Sequence, residues 1–206
     1  MAVLSRTARV LAGVIALVAL IGLAVQFRAS LGRLGSVAET VWVELHFFTI
    51  IANLLVAVVF GGIAAARPGF ATQSLLGGVT LASLLVGVVY GLLLDGLLEL
   101  SGGDKLADLL LHKVTPVLVP LWWLGFAPKG RLTRRDPWVW AILPLAYFAY
   151  ALIRGGAEGL YAYPFLDLAK LGWLRTGANA VLMGAAFMAT GFVVVGLDAW
   201  MGGRAR

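Results

Sequence analysis

The sequence predicts an all-α, polytopic membrane protein in which six transmembrane helices form one bundle. The first observation is composition: hydrophobic residues make up 61% of the 206 residues and charged residues 13%, with a mean hydropathy of +0.96. A soluble domain carries about 25% charged residues. The second observation is a series of six apolar stretches, each near the roughly 20 residues with which a helix crosses about 30 Å of hydrocarbon. No linker divides them, so residues 1–206 are predicted to form a single integral-membrane helical domain.

Each predicted span has its own sequence features. Arg6 and Arg9 precede the first span and no Ala-x-Ala cleavage site follows it, which predicts an uncleaved helix rather than a signal peptide. The fifth span is short and contains Pro144, which predicts a kink. The connection Arg154–Thr176 contains several glycines and Pro164, which fit either a loop that dips over a cavity or an ordinary interfacial loop, and the ordinary loop is slightly favoured. The predicted spans are Val10–Phe27, Val41–Ala65, Leu75–Leu98, Leu106–Phe126, Trp138–Ile153 and Gly177–Trp200.

The distribution of basic residues predicts the orientation. Nine Lys and Arg residues fall on the side of both termini and seven on the other side, which is a small bias by itself. The cluster in the loop Lys129–Arg135 is the better marker, because cytoplasmic loops are enriched in Lys and Arg. It predicts that both termini are cytoplasmic, in a bacterial inner membrane. Eight of the ten acidic residues lie on the opposite side.

Several classes of function are excluded or disfavoured by what the sequence lacks. The chain has no cysteine, so thiol catalysis and disulfides are excluded. The net charge of +6 is spread over loops, with no basic stripe and interleaved aromatics, so we predict no nucleic-acid partner. The Gly-Gly pairs lack the lysine and strand context of a phosphate loop. We predict no cofactor and no protein partner.

The only two histidines, His46 and His112, lie inside or at the edge of apolar runs. Ionisable groups are costly in hydrocarbon, and those that persist usually face a bundle interior and mark a site. Counted from the acidic side, Thr49 lies about 12 Å and His112 about 9 Å into their spans, at ~1.5 Å rise per residue. Both residues are therefore expected at similar depth, although the rotation of each helix is not determined.

The polar residues of these two spans predict an acyl-transfer site. His46, Thr49 and Asn53 share one helix face, as do Asp108, His112 and Thr115. A threonine hydroxyl needs an adjacent base, which His112 would supply to Thr49. Asp108 would orient the imidazole as the third member of a triad. Asn53 would donate to a developing oxyanion, and His46 would have a supporting role.

Each of these residues also has an ordinary structural interpretation. A threonine in a transmembrane helix commonly bonds the carbonyl one turn back, and an asparagine commonly forms a helix–helix hydrogen bond. His46 and Asp108 lie near the interface and are compatible with simple solvation. A zinc site made of both histidines and a carboxylate from Glu44, Asp95 or Asp108 is a further alternative. No His-x-x-x-His or His-Glu-x-x-His spacing supports it, so we predict no metal site.

Three segments resemble the androgen-induced-gene and ADTRP family of six-span membrane proteins, in a bacterial branch. Phe47-Phe48-Thr49-Ile50-Ile51-Ala52-Asn53 resembles the family's FFT..SN signature, and Leu111-His112-Lys113-Val114-Thr115-Pro116 resembles its H...P span. Tyr161-Ala162-Tyr163-Pro164-Phe165-Leu166-Asp167 resembles its YPYPFLD loop. The resemblance implies hydrolysis of fatty acid esters of hydroxy fatty acids by an intramembrane threonine and histidine, which here are Thr49 and His112. The serine of the signature is replaced by Ala52.

Two hypotheses of function follow from these residues and the resemblance. The first is an intramembrane hydrolase of lipid esters, with membrane lipids or a lipid-like ester as substrate. The second is a non-enzymatic small transporter or lipid-binding membrane protein, in which the histidines relay protons or bind a headgroup. A transporter predicts a polar path to both faces, whereas the cytoplasmic halves of the spans are almost purely apolar. Gln73, Ser74, Thr80 and Ser83 are among the few exceptions there.

Overall fold

The computed structural model of the chain describes residues 4–97 and 99–204, and every regular element in these residues is helical. The all-α prediction is therefore confirmed for this part of the chain. A short 3₁₀ turn at Pro164–Leu166 precedes the last helix. The α-helices are α1 Arg6–Leu34, α2 Val37–Glu44, α3 Phe48–Ala64, α4 Gln73–Val89, α5 Gly102–Asp108, α6 Thr115–Phe126, α7 Asp136–Trp140, α8 Ile142–Glu158 and α9 Leu168–Arg204.

Five helical segments are long and apolar enough to cross a membrane: Arg6–Leu34, Gln73–Leu94, Gly102–Phe126, Asp136–Glu158 and Leu168–Gly203. They correspond to the first, third, fourth, fifth and sixth predicted spans. The fifth is interrupted at Ala141, between α7 and α8. Pro144 then falls in the first turn of α8, where a missing backbone N–H removes no helical hydrogen bond. The chain is therefore compatible with five crossings, or six when the bent pair α2–α3 is counted as one.

The second predicted span, Val41–Ala65, was wrong as a continuous helix. It is divided into α2 and α3, whose axes meet at 96°. The peptide amides of His46 and Phe47 bond back to the carbonyls of Val43 and Glu44, which closes α2 as a tight turn. Phe47 then adopts an extended conformation, φ −102° and ψ 129°, and α3 begins at the next residue.

Neighbouring helices hold this bend from both sides. The Tyr147 hydroxyl of α8 donates to the His46 carbonyl at 2.8 Å. The Glu44 carboxylate accepts from Ser30 Oγ of α1 at 2.6 Å and from Gln26 Nε2 at 3.3 Å. These partners come from distant parts of the sequence, so a run of apolar residues alone does not reveal the bend.

Two helices carry π-helical turns that face each other. One is Tyr90–Leu94, at the end of α4, and the other is Leu109–Val114, which joins α5 to α6. Pro116 explains the second, because it has no N–H and its ring crowds the carbonyl of His112, one turn earlier. A helix relieves such crowding by widening locally. Isolated π turns of this kind frequently occur at functional sites.

The bundle centre is packed closely through small residues of α1. Ala8, Ala12, Ala16 and Ala19 are all buried against the neighbouring helices, and small residues let helix backbones approach in membrane proteins. Gly22 continues the series: a Cβ on it would lie 2.7 Å from the Leu111 side chain. The contact sets α1 directly against the π turn that carries His112.

The loop between α6 and α7 is anchored through a buried aspartate, Asp198, and a half-buried lysine, Lys129. Asp198 of α9 is fully buried and accepts from the amides of Gly130, at 2.8 Å, and Leu132, at 2.9 Å. Lys129 donates to the Trp123 carbonyl and, at 2.8 Å, to the Ala127 carbonyl. Burial lowers the pKa of Lys129 to about 8, although Asp198 opposes this shift.

We expect this lysine to make stability depend on pH in the alkaline range. Its pKa is 10.5 in the unfolded chain and about 8 in the folded one, so the folded protein binds fewer protons between these values. Stability should therefore rise with pH from about 8 to 10.5 relative to a Lys129→Met variant. Thermal unfolding in detergent, followed for both proteins across this window, measures the difference. A constant difference between the two unfolding midpoints would contradict the assignment.

Candidate functional site

Thr49 is the second residue of α3 and lies just after the bend. It is buried, with 7% of its surface exposed. The residue one helical turn earlier, Leu45, precedes the bend, so Thr49 does not occupy the mid-helix position at which a threonine hydroxyl bonds back to its own helix. Its Oγ1 instead lies 3.2 Å from Nε2 of His112. The structure thus brings together the two residues that the sequence placed at similar depth on different spans.

His112 is held between Thr49 and a carboxylate. Its Nδ1 lies 3.0 Å from Oδ1 of Asp108, one turn earlier in the same helical segment. The oxygen is off the direction of the Nδ1–H bond, so the contact is an electrostatic pair rather than a well-formed hydrogen bond. The carboxylate favours the tautomer with its proton on Nδ1. Nε2 is then free to accept the Thr49 hydroxyl proton.

Tyr90 completes the surroundings of the imidazole, and sequence analysis did not identify it. Its ring stacks on His112 with centroids 4.2 Å apart and planes at 17°. Its hydroxyl contacts Asp108 Oδ2 at 2.8 Å and Asp95 Oδ1 at 3.0 Å. One hydroxyl proton serves only one of them at a time. The five-residue spacing of Tyr90 and Asp95 at the end of a span was the available signal, but Asp95 was considered as a carboxylate of a possible zinc site.

Asp95 is kept ionised beside this group by Lys113. The ammonium lies 3.2 Å from Asp95 Oδ1 and also over the Tyr90 ring, 5.4 Å from its centroid. Together with the Tyr90 hydroxyl it holds the pKa of the Asp95 carboxyl below its usual range. Because the Asp95 carboxylate is already paired with the Lys113 ammonium, the Tyr90 hydroxyl proton is available to Asp108.

Asn53 links the two segments that carry Thr49 and His112. Its Nδ2 donates to the carbonyls of Thr49, at 2.9 Å, and Leu111, at 3.3 Å. An oxyanion role would require Asn53 to release one of these bonds, and that role stays a prediction. Its Oδ1 is buried without a hydrogen-bond partner among the described residues.

The structure does not bring His46 to the Thr49–His112 pair. His46 precedes α3, so the shared face expected from a continuous helix does not extend to it. Its imidazole lies within the electrostatic range of Arg154 and Glu158 of α8, which form an ion pair at 2.9 Å. In residues 4–97 and 99–204, no three His, Asp or Glu side chains come together to hold a metal ion. The zinc set considered above is therefore not assembled.

Two cavities of different character meet at Thr49. The first, here called the apolar lobe, has a volume of about 470 Å³ and is walled by apolar and aromatic side chains that include Val86, Phe148, Phe165, Phe187 and Met188. The second, the acidic lobe, has a volume of about 770 Å³. Its ionisable lining residues are Arg33, Glu44, Glu99, Asp104, Asp108 and His112.

The loop that resembles YPYPFLD covers this junction. Tyr163 lines both lobes, stacks on Phe165 with centroids 5.1 Å apart, and meets Phe47 and Tyr147 edge-on. Burial raises the pKa of Tyr163, so its hydroxyl stays protonated near neutral pH. The sequence favoured an ordinary interfacial loop here. The structure corrects this expectation, because the loop forms part of the cavity wall.

Asn53 should contribute to stability through the link it makes. We expect Asn53→Ala to lower the free energy of unfolding by about 1–3 kcal/mol, since it removes the donor of a buried carbonyl between two segments. Ser83→Ala is the matched control, because Ser83 is buried on α4 and its hydroxyl has no partner among the described residues. Unfolding midpoints in the same detergent compare the two. Equal midpoints would show that the Asn53 link is energetically unimportant.

The chain matches no protein-family model, no curated protein and no solved structure. The resemblance to the androgen-induced-gene and ADTRP family therefore stays a prediction. The function is inferred from the geometry of Thr49, His112 and Asp108.

Proposed function

We propose that the protein is an intramembrane hydrolase of lipid esters, in which Thr49 is the nucleophile and His112 the base. The observation that carries the proposal is the 3.2 Å contact between Thr49 Oγ1 and His112 Nε2. A general base must lie within such reach of the proton that it accepts. Asp108, 3.0 Å from the other ring nitrogen, supplies the third member of a nucleophile, base and carboxylate series.

The reaction follows from these contacts. His112 Nε2 accepts the hydroxyl proton as Thr49 Oγ1 bonds to the ester carbonyl carbon. The carbon–oxygen bond to the alcohol then breaks, and the imidazolium returns the proton to the alcohol oxygen, which leaves an acyl-threonine. A water molecule, deprotonated by His112, attacks this ester. The bond from the acyl carbon to Thr49 Oγ1 then breaks, Oγ1 takes the proton back from the imidazolium, and the fatty acid is released. Asp108 stabilises the imidazolium in both halves of the cycle.

The start of α3 offers stabilisation for the negative charge that develops on the carbonyl oxygen. Phe48 and Thr49 occupy the first positions of the helix, where amides have no intrahelical acceptor, and the N-cap residue Phe47 has no polar side chain to cap them. The Tyr163 hydroxyl lies against these amides. Helix N-termini favour negative charge, so these amides are better placed than Asn53 to serve as oxyanion donors.

We further propose six crossings, with α3 as the second. Its 17 residues span about 25 Å at ~1.5 Å per residue, close to the ~30 Å hydrocarbon core. The short helix α2 then lies near the interface. With the basic loop 129–135 as the cytoplasmic marker, both termini lie on the cytoplasmic side of a bacterial inner membrane.

An alkyl fluorophosphonate should label the purified protein in detergent at Thr49. We expect no labelling of Thr49→Ala, and slower labelling and ester hydrolysis by His112→Ala, by about 10²–10⁴-fold, as is typical of a lost general base. Thr115→Ala is the matched control, because Thr115 is also buried, on α6, with an unpartnered hydroxyl among the described residues. Mass spectrometry locates the adduct. Absence of labelling in folded wild-type protein would favour the transport or lipid-binding hypothesis instead.

The topology is testable because the chain contains no cysteine. Glu39→Cys, in α2, and Arg67→Cys, in the loop after α3, are both at exposed positions. We expect a membrane-impermeant maleimide to label Glu39→Cys and not Arg67→Cys in cells with a permeable outer membrane. Lysis should then expose Arg67→Cys. Labelling of both variants in intact cells would mean that the α2–α3 pair does not cross.

A further inference from the structure

The two lobes have opposite chemistry and share a wall at the proposed nucleophile. Thr49, Tyr90, Leu94 and Tyr163 line both. An ester attacked by Thr49 has its carbonyl carbon at this junction, so its acyl and alcohol parts must extend into different lobes. The question is which part occupies which lobe.

The position of His112 decides the orientation. His112 lines the acidic lobe and not the apolar one. In the proposed reaction His112 returns its proton to the departing alcohol oxygen, so this oxygen must lie on the acidic side of the carbonyl carbon. The acyl chain then extends into the apolar lobe, whose volume of about 470 Å³ is within the roughly 300–1,000 Å³ of ordinary ligand pockets.

The acidic lobe carries an excess of negative charge. Four carboxylates line it, from Glu44, Glu99, Asp104 and Asp108, against the single guanidinium of Arg33. That guanidinium is already paired with Asp104 at 2.6 Å. The buried Glu44 carboxylate is hydrogen-bonded only by neutral donors among the described contacts, Ser30 and Gln26. Among the described lining residues, no cation is therefore free to receive a negatively charged alcohol.

From these observations, and resting on the proposed function, we propose that the substrate is a fatty acyl ester of a cationic alcohol, with its acyl chain in the apolar lobe and its charged alcohol in the acidic lobe. An ammonium group in the alcohol would meet the carboxylates of Glu44 and Glu99. An anionic alcohol, which includes the hydroxy fatty acid that the resemblance implies, would be placed, partly desolvated, among like charges, and such juxtaposition is strongly disfavoured.

Three palmitoyl esters that differ mainly in charge test the proposal. They are the esters of choline, of 3,3-dimethylbutan-1-ol, which is the uncharged isostere of choline, and of glycolate, which is anionic. We expect kcat/KM to fall in this order, with at least about a tenfold difference between the choline and glycolate esters. Glu44→Gln and Glu99→Gln should each reduce the ratio of choline ester to isostere. Glu39→Gln, an exposed acid outside the lobe, should leave this ratio unchanged.

The outcomes separate this proposal from the hydrolase proposal. Hydrolysis of none of the three esters, together with no fluorophosphonate labelling, contradicts the hydrolase itself. Hydrolysis with equal rates, or with the glycolate ester fastest, overturns only the charge assignment. A choline preference that neither Glu44→Gln nor Glu99→Gln reduces overturns the assignment to this lobe. Glu99 is exposed, so its variant provides a test even where Glu44→Gln impairs folding.

Discussion

The site depends on the bend between α2 and α3. If Val41–Ala65 were one helix, the Thr49 hydroxyl would lie along its side, with its own backbone carbonyls as the nearest acceptors. The 96° turn instead makes Thr49 the second residue of a new helix. It also leaves the first amides of that helix without intrahelical acceptors, at the junction of the two lobes. The Tyr147 hydroxyl, which donates to the His46 carbonyl, is one of the side-chain contacts that fix the turn from outside.

His112 reaches Thr49 because its own helical segment is locally widened and closely packed. Pro116 has no N–H, so the regular helical hydrogen bond to the His112 carbonyl is missing. The resulting π turn fits against α1 and α4 because each presents a glycine to it. A Cβ on Gly22 would lie 2.7 Å from Leu111, and one on Gly87 would lie 2.8 Å from Pro116. Tyr90 then stacks on the imidazole from the facing π turn. The short distance to Thr49 is thus a consequence of backbone packing that no side chain of the pair produces by itself.

These constraints explain which parts could be predicted from sequence. The apolar runs predict most of the long helices, because burial in hydrocarbon requires them. The four-residue spacing of Asp108 and His112 is local and predicts their contact, which forms even though a π turn lies between them. The shared face of His46 and Thr49 assumed an unbroken helix, which the bend removes. Tyr90 and Tyr163 reach the site only through contacts between distant segments, so local patterns such as the Tyr90–Asp95 spacing could not by themselves assign them to it.

The packing of the opposite half of the bundle bears on the choice between hydrolysis and transport. Phe60 and Trp122 are almost completely buried and pack edge-to-face with ring centroids 5.1 Å apart, and the Trp122 indole donates to the Ala8 carbonyl at 2.8 Å. Trp123 and Ile63 are equally buried in the same cluster. A conduction path would need polar or hydrated groups through this region. The acidic lobe, which carries the ionisable residues around Thr49 and His112, instead lies toward the other end of the bundle. That geometry suits a ligand that enters, reacts and leaves by the same route.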